Sequence, residues 1–124
     1  MRLLLDTHAF IWWSVADPRL SAEVREAVRE ADQVFVSIAS AWEIAIKVSL
    51  KRLVFSETFD AALTINHFEP LTIEVRHTEM IKTLPLHHRD PFDRMLIAQS
   101  LVEDLTLVTA DRRLEAYGSS ALWL

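Results

Sequence analysis

The chain has no cysteine and a single glycine, Gly118, in its 124 residues. Without thiols there is no disulfide framework, cysteine-based zinc site, iron–sulfur cluster or thiol nucleophile. One glycine near the C-terminus leaves no Walker loop, no GxGxxG nucleotide site and no nucleophile elbow. Long apolar runs are missing as well, since no stretch approaches the roughly 18 uninterrupted apolar residues of a membrane span. The opening MRLLLD meets an aspartate after three leucines, too early for the apolar core of a secretion signal. The expectation is a soluble, cytoplasmic protein with no membrane partner. Positive charge is in deficit too: 13 Lys and Arg face 18 Asp and Glu, a formal net charge of −5. That balance argues against coating nucleic acid by bulk charge, though not against meeting it locally.

What is present is a chain 51% apolar, with no repeat, linker or low-complexity stretch, which reads as one domain over residues 1–124. Arg2–Leu5 is a short apolar run that suits a buried strand, and Val34–Ser37 is a second. Thr7–Val15 reads as a helix, and so does Ser21–Ala31 with Ser21 as N-cap. Ser40–Leu50 is a helix with Trp42, Ala45, Ile46 and Ser49 on one face. Phe59–Phe68 is helical, Glu69-Pro70 turns into a strand around Leu71–Ile73, and Val75–Thr83 is a further helix. After a polar loop through His87-His88-Arg89, Asp90-Pro91 opens a helix reaching Glu103. Leu105–Thr109 is a strand, a short helix follows Asp111, and Ala121–Leu124 is a terminal strand. Strands alternating with helices predict an α/β fold with a mainly parallel sheet and right-handed crossovers.

In an open parallel sheet, ligands bind beyond the carboxyl ends of the strands. Four acids fall there: Asp6 after the first strand, Glu43 in the helix after the second, Asp93 at the start of the late helix, and Asp111 after Leu107–Ala110. Each also has a purely structural reading. Asp6 and Asp111 suit helix caps, Glu43 pairs with Lys47 at i,i+4, and Asp93 is the third residue of a helix capped by Asp90. As a set they point to one crevice. Carboxylates gathered there repel unless a cation sits between them, and oxygen donors without cysteine favour Mg²⁺ or Mn²⁺ over zinc. Metal-assisted phosphodiester hydrolysis is the chemistry implied. Two alternatives stand beside it. One is a non-catalytic interaction module whose acids are caps. The other is an aspartyl-phosphate phosphatase or receiver-like protein using Asp6, although His8 stands where a phosphatase of the haloacid-dehalogenase pattern has a second acid.

The segments Leu3–His8 (LLLDTH), Ser37–Lys47 (SIASAWEIAIK), His88–Gln99 (HRDPFDRMLIAQ) and Leu107–Asp111 (LVTAD) run across the whole chain. In this order and spacing the sequence resembles the PIN-domain ribonucleases, specifically the VapC-type toxins of type II toxin–antitoxin systems. The resemblance implies a three-layer α/β/α sandwich around a sheet of four to five strands. It implies a Mg²⁺- or Mn²⁺-dependent endoribonuclease that cuts a tRNA or rRNA, leaving a 3′-hydroxyl and a 5′-phosphate. Asp6, Glu43 and Asp93 match the metal-holding acids, and Asp111 matches a fourth position. Thr7 and Thr109 follow as residues able to orient a carboxylate or a water. A homodimer and a VapB-type antitoxin are the implied protein partners.

Other residues carry weaker signals. Arg94, Arg112 and Arg113 each follow an acid and are candidates to grip RNA phosphate, as is His88. His87 reads as a solvated loop residue, and neither histidine is placed among the metal ligands. Phe10, Trp12 and Trp13 crowd one short helix and are candidates for an interface with another chain. Trp42 and Trp123 read as core.

Overall fold

The computed structural model describes residues 1–118 and 120–124. Its centre is a fully parallel sheet of β1 (Arg2–Leu5), β2 (Gln33–Ser37), β3 (Glu69–Leu71), β4 (Thr106–Thr109) and β5 (Ala121–Trp123). The spatial order is β3-β2-β1-β4-β5. The helices are α1 (Thr7–Ser14), α2 (Ala22–Glu30), α3 (Ile38–Ser49), α4 (Phe59–Asn66), α5 (Val75–Thr83) and α6 (Pro91–Glu103), with a 3₁₀ helix over Arg112–Tyr117. No described helix is long and apolar enough to cross a membrane.

Strand alternation sorts the core into two layers. Leu3, Leu5, Val34, Val36 and Val108 face a cluster with Phe10, Val24, Ile44 and Leu63 from α1 to α4. Leu4, Leu107 and the partly buried Phe35 face Leu96 and Ile97 of α6 and Leu114 of the 3₁₀ helix. The three layers are therefore helices, sheet, helices. Covered on both faces, β1 has no polar residue after Arg2 until Asp6 ends it.

Helix starts follow local chemistry closely. Ser21, Ser37, Thr58 and Asp90 each accept a backbone N–H from the first turn they cap. Helix ends show the effect of scarce glycine: His67 and Asp104 take left-handed caps at φ 56° and 54°. Gly118 closes the 3₁₀ helix at φ 70°, the conformation a glycine accommodates without strain.

Three expectations need correction. The third strand starts at Glu69, two residues before Leu71. Pro70 is tolerated because β3 lies at the sheet edge and pairs only with β2. Trp42 is 62% exposed and lies outside the core. The buried residues of α3 are Ala39, Ser40, Glu43 and Ile44, so the helix turns its polar stripe inward and Trp42 outward against Phe92. Trp123 is only partly buried, with the Arg112 guanidinium 4.3 Å from its ring centroid.

Candidate active site

The chain visits β2 and β3 on one side of β1, then β4 and β5 on the other. The crevice of an open sheet forms at such a reversal, beyond the carboxyl ends of β1 and β4. A cleft of about 450 Å³ opens there, lined by Asp6, Glu43, Asp90, Asp93 and Asp111 together with cationic groups and Trp12.

Each acid arrives by a different element. Asp6 ends β1 and caps α1, accepting the Ala9 N–H at 2.8 Å. Its carboxyl is held above the usual range, chiefly by burial and also by Glu43. The Ala9 amide, the Thr109 hydroxyl and His8 oppose that shift. Glu43 lies in the second turn of α3 and is buried, its Oε2 accepting from Lys47 Nζ at 2.9 Å. Asp93 sits in the first turn of α6, where its N–H donates to the Asp90 carboxylate at 3.0 Å. Its own carboxyl is pushed up to about 7 by burial first, then by Asp90, with Asp6 and Glu43 adding to the effect against His88. Asp111 follows β4 and behaves oppositely. Arg113 forks onto it at 2.8–3.2 Å, and with His88 holds it well below the usual carboxylate range.

His88 links two of the acids. Its Nδ1 accepts the Asp90 N–H at 3.0 Å, so the neutral ring carries its proton on Nε2. That nitrogen faces Asp111 Oδ2 at 2.9 Å and Asp93 Oδ2 at 3.2 Å. The three side chains form a group close enough to share one ion. With its proton directed at the carboxylates, His88 bridges them as a donor in this arrangement. His88 is buried, unlike the exposed His87.

The remaining candidates separate. Thr109 is buried and accepts the Asp111 N–H at 3.0 Å, and its hydroxyl pulls the Asp6 carboxyl down, so it acts on both acids at the carboxyl ends of β1 and β4. Thr7 donates to Ser40 Oγ at 2.9 Å, tying α1 to α3 instead of orienting a carboxylate. Arg94 is not available for phosphate. Its guanidinium donates to the carbonyls of Ile81, Leu84, Pro85 and His88 and to Tyr117 Oη, which braces the loop before α6. Arg112 stacks over Trp123 outside the acidic cleft, while Arg113 lines it.

The proposed interface cluster divides as well. Phe10 is fully buried against Phe55, Phe59 and Phe68, which removes it as an interface residue. Trp13 packs on Phe68 and donates its indole N–H to Asn66 Oδ1 at 2.9 Å. Trp12 alone turns toward the cleft.

Three contributors carry little or no sign of their place in the site in the sequence. Ser40 carried no signal apart from the inward face of α3. Tyr117 accepts from the backbone of His87 and His88 and from Arg94, 23 to 30 positions away, and nothing local announces this. Lys47 was legible as the i,i+4 partner of Glu43, but its place on the rim was not.

The model of the PIN domain matches residues 3–119. Ribonuclease VapC22 of Mycobacterium tuberculosis is 30% identical over 118 residues, covering 93% of this chain and 91% of the relative. The fold is similar to that of VapBC2 from Rickettsia felis bound to a promoter DNA fragment, at a TM-score of 0.73 and 14% identity, with 98% of each chain covered. It is also similar to a toxin–antitoxin complex from Klebsiella pneumoniae, at a TM-score of 0.67 and 16% identity over 97% of this chain and 95% of that one. The chain belongs to the PIN-domain family and, within it, to the VapC ribonucleases.

Proposed function

We propose that this protein is a metal-dependent endoribonuclease acting as the toxin of a toxin–antitoxin pair, with Asp6, Glu43, Asp93 and Asp111 as its catalytic, metal-holding acids. The observation that carries the reading is the convergence of these four acids, from four separate elements, on one cleft at the sheet reversal. The donor set fits a hard divalent cation. It is built of oxygens, and two of its carboxyls, Asp6 and Asp93, are pushed upward by burial and by neighbouring acids. Mg²⁺ or Mn²⁺ bound there would neutralise charge on a phosphoryl oxygen and lower the pKa of a water.

The protein groups have distinct tasks. Asp6, Glu43 and Asp93 supply oxygens open to the cleft, and Lys47 steadies Glu43. Asp111, already engaged by Arg113 and His88, contributes from the far side, with Thr109 holding its backbone against Asp6. Arg113 and Lys47 leave the rim less repulsive to a phosphodiester than its five carboxylates alone would be.

A relative named as a ribonuclease supports RNA as substrate, and the tRNA or rRNA class is what the sequence resemblance adds to the proposal. The neighbours solved as toxin–antitoxin complexes also support a VapB-type antitoxin as partner, and a homodimer acting in the cytoplasm completes the proposal. The test is cleavage of total RNA in Mg²⁺ or Mn²⁺. Asp93→Ala should lose about 10²–10³-fold in rate while its circular dichroism stays that of the parent. Cleavage by the folded variant at the parent rate would refute the assignment.

A further inference from the structure

Beside the acidic cleft lies a second cavity of about 480 Å³, within the range of roughly 300–1,000 Å³ typical of small-ligand sites. The two share His8, Trp12, Arg19 and Lys47, and the second adds Arg52 and Asp17. Their charges are opposite. The cleft gathers five carboxylates, whereas the neighbouring cavity sets a single one, Asp17, against Arg19, Lys47 and Arg52. Asp17 is already taken by the Arg19 fork at 3.1 and 2.8 Å, and Lys47 by Glu43. Arg52 is exposed, and its guanidinium has no hydrogen bond or ion pair among the described residues. In an acidic protein this is a local cationic lobe directly against the acids.

The lobe also has a floor for a flat ring. Trp12 is half-buried, with the Arg19 guanidinium carbon 4.5 Å from its ring centroid and the exposed His8 ring 5.9 Å away. Asp17 fixes Arg19 in that place, so the aromatic and guanidinium planes are assembled in advance. Such groups stack nucleobases, and a base can enter a cavity of this size only when it is unpaired.

We propose that this cavity binds an unpaired ribonucleotide flanking the scissile phosphate, its base against Trp12, His8 and Arg19 and its phosphate on Arg52. The inference rests on the nuclease reading and assigns to this cavity the base of a nucleotide beside the cleavage site. An acidic protein segment would satisfy the cations but leave the ring group without a stacking partner.

The test measures binding of a fluorescein-labelled, mixed-sequence RNA octamer to the full-length Asp93→Asn chain in Mg²⁺. Adding Arg52→Ala or Trp12→Ala should weaken binding about tenfold each, and Arg52→Ala should flatten the salt dependence by about one phosphate. Trp12→Phe, which keeps a ring, should retain most of the affinity and so separates stacking from folding. A blunt RNA duplex should bind more weakly and be indifferent to Trp12. Octamer affinities unchanged by Arg52→Ala and Trp12→Ala would overturn the proposal, and so would no octamer binding at all. Variants that lose affinity for poly-glutamate while keeping it for RNA would assign the cavity to a protein and overturn it too. The nuclease reading is judged apart from this, by cleavage of total RNA by the parent chain.

Discussion

Two buried histidines in this fold are held in nearly the same way, yet their surroundings assign them different work. His77 accepts the Glu74 N–H on Nδ1 at 3.0 Å and faces Glu103 with Nε2 at 3.1 Å. His88 accepts the Asp90 N–H on Nδ1 at 3.0 Å and faces Asp111 and Asp93 with Nε2. Each is one corner of a group compact enough for an ion. The difference is compensation. Around His77, Arg76 reaches both Glu74 and Glu103, and the group staples the start of α5 to the end of α6. Around His88, the carboxylates outnumber their cations, and Asp93 is pushed up to about 7. A histidine among acids is therefore a poor signal by itself. Uncompensated carboxylate at a sheet reversal is the informative one.

Removing each histidine sharpens the contrast. His77→Ala should lower unfolding stability by about 2–4 kcal/mol, because it leaves the Glu74 N–H and Glu103 without their buried partner. That loss should be the same in urea titrations with Mg²⁺ or with EDTA. His88→Ala should also destabilise the EDTA-treated protein, but the loss should shrink when Mg²⁺ is present, since a cation replaces the proton between Asp93 and Asp111. Equal behaviour of the two variants would erase the distinction.

A smaller effect follows from pH. The folded pKa of Asp93, about 7, lies above its ordinary value of 3.8, so the folded state holds that proton more tightly. Its penalty is absent below about pH 4 and complete above about pH 7, so stability falls as pH rises through that window. With Asp93 open to the cleft mouth, solvent screening reduces the effect to about 2 kcal/mol. Urea titrations in EDTA at about pH 5 and pH 8 should show it as a gap between parent and Asp93→Asn that widens at the higher pH, with the variant the more stable. Glu103→Gln should show no such gain.

Much of this fold was legible because its local signals act alone. Ser21 and Asp90-Pro91 announce helix starts, and the apolar run Leu3–Leu5 suits a buried strand. The acids were legible as positions after strands, a matter of topology. What could not be read was which way side chains turn when function opposes amphipathicity. Glu43 has to face the cleft, so α3 presents Ser40 and Glu43 inward, and the ordinary rule that sends Trp42 to the core fails. Arg94 misled for a related reason. Next to an acid it reads as a phosphate grip, but its partners include carbonyls of the end of α5 and the loop after it, supplied by folding at 6 to 13 positions' distance. Phe10 and Trp12, two residues apart on one helix, were separated only by the packing of α4 and the β1 layer.

The central claim is that a divalent cation belongs at the acidic cleft and not at the His77 group. Isothermal calorimetry with Mn²⁺ on the full-length chain tests it directly. The parent should bind Mn²⁺ specifically, Asp93→Asn should lose that binding, and Glu103→Gln should bind as the parent does. Binding that survives Asp93→Asn, or disappears in Glu103→Gln, would contradict it.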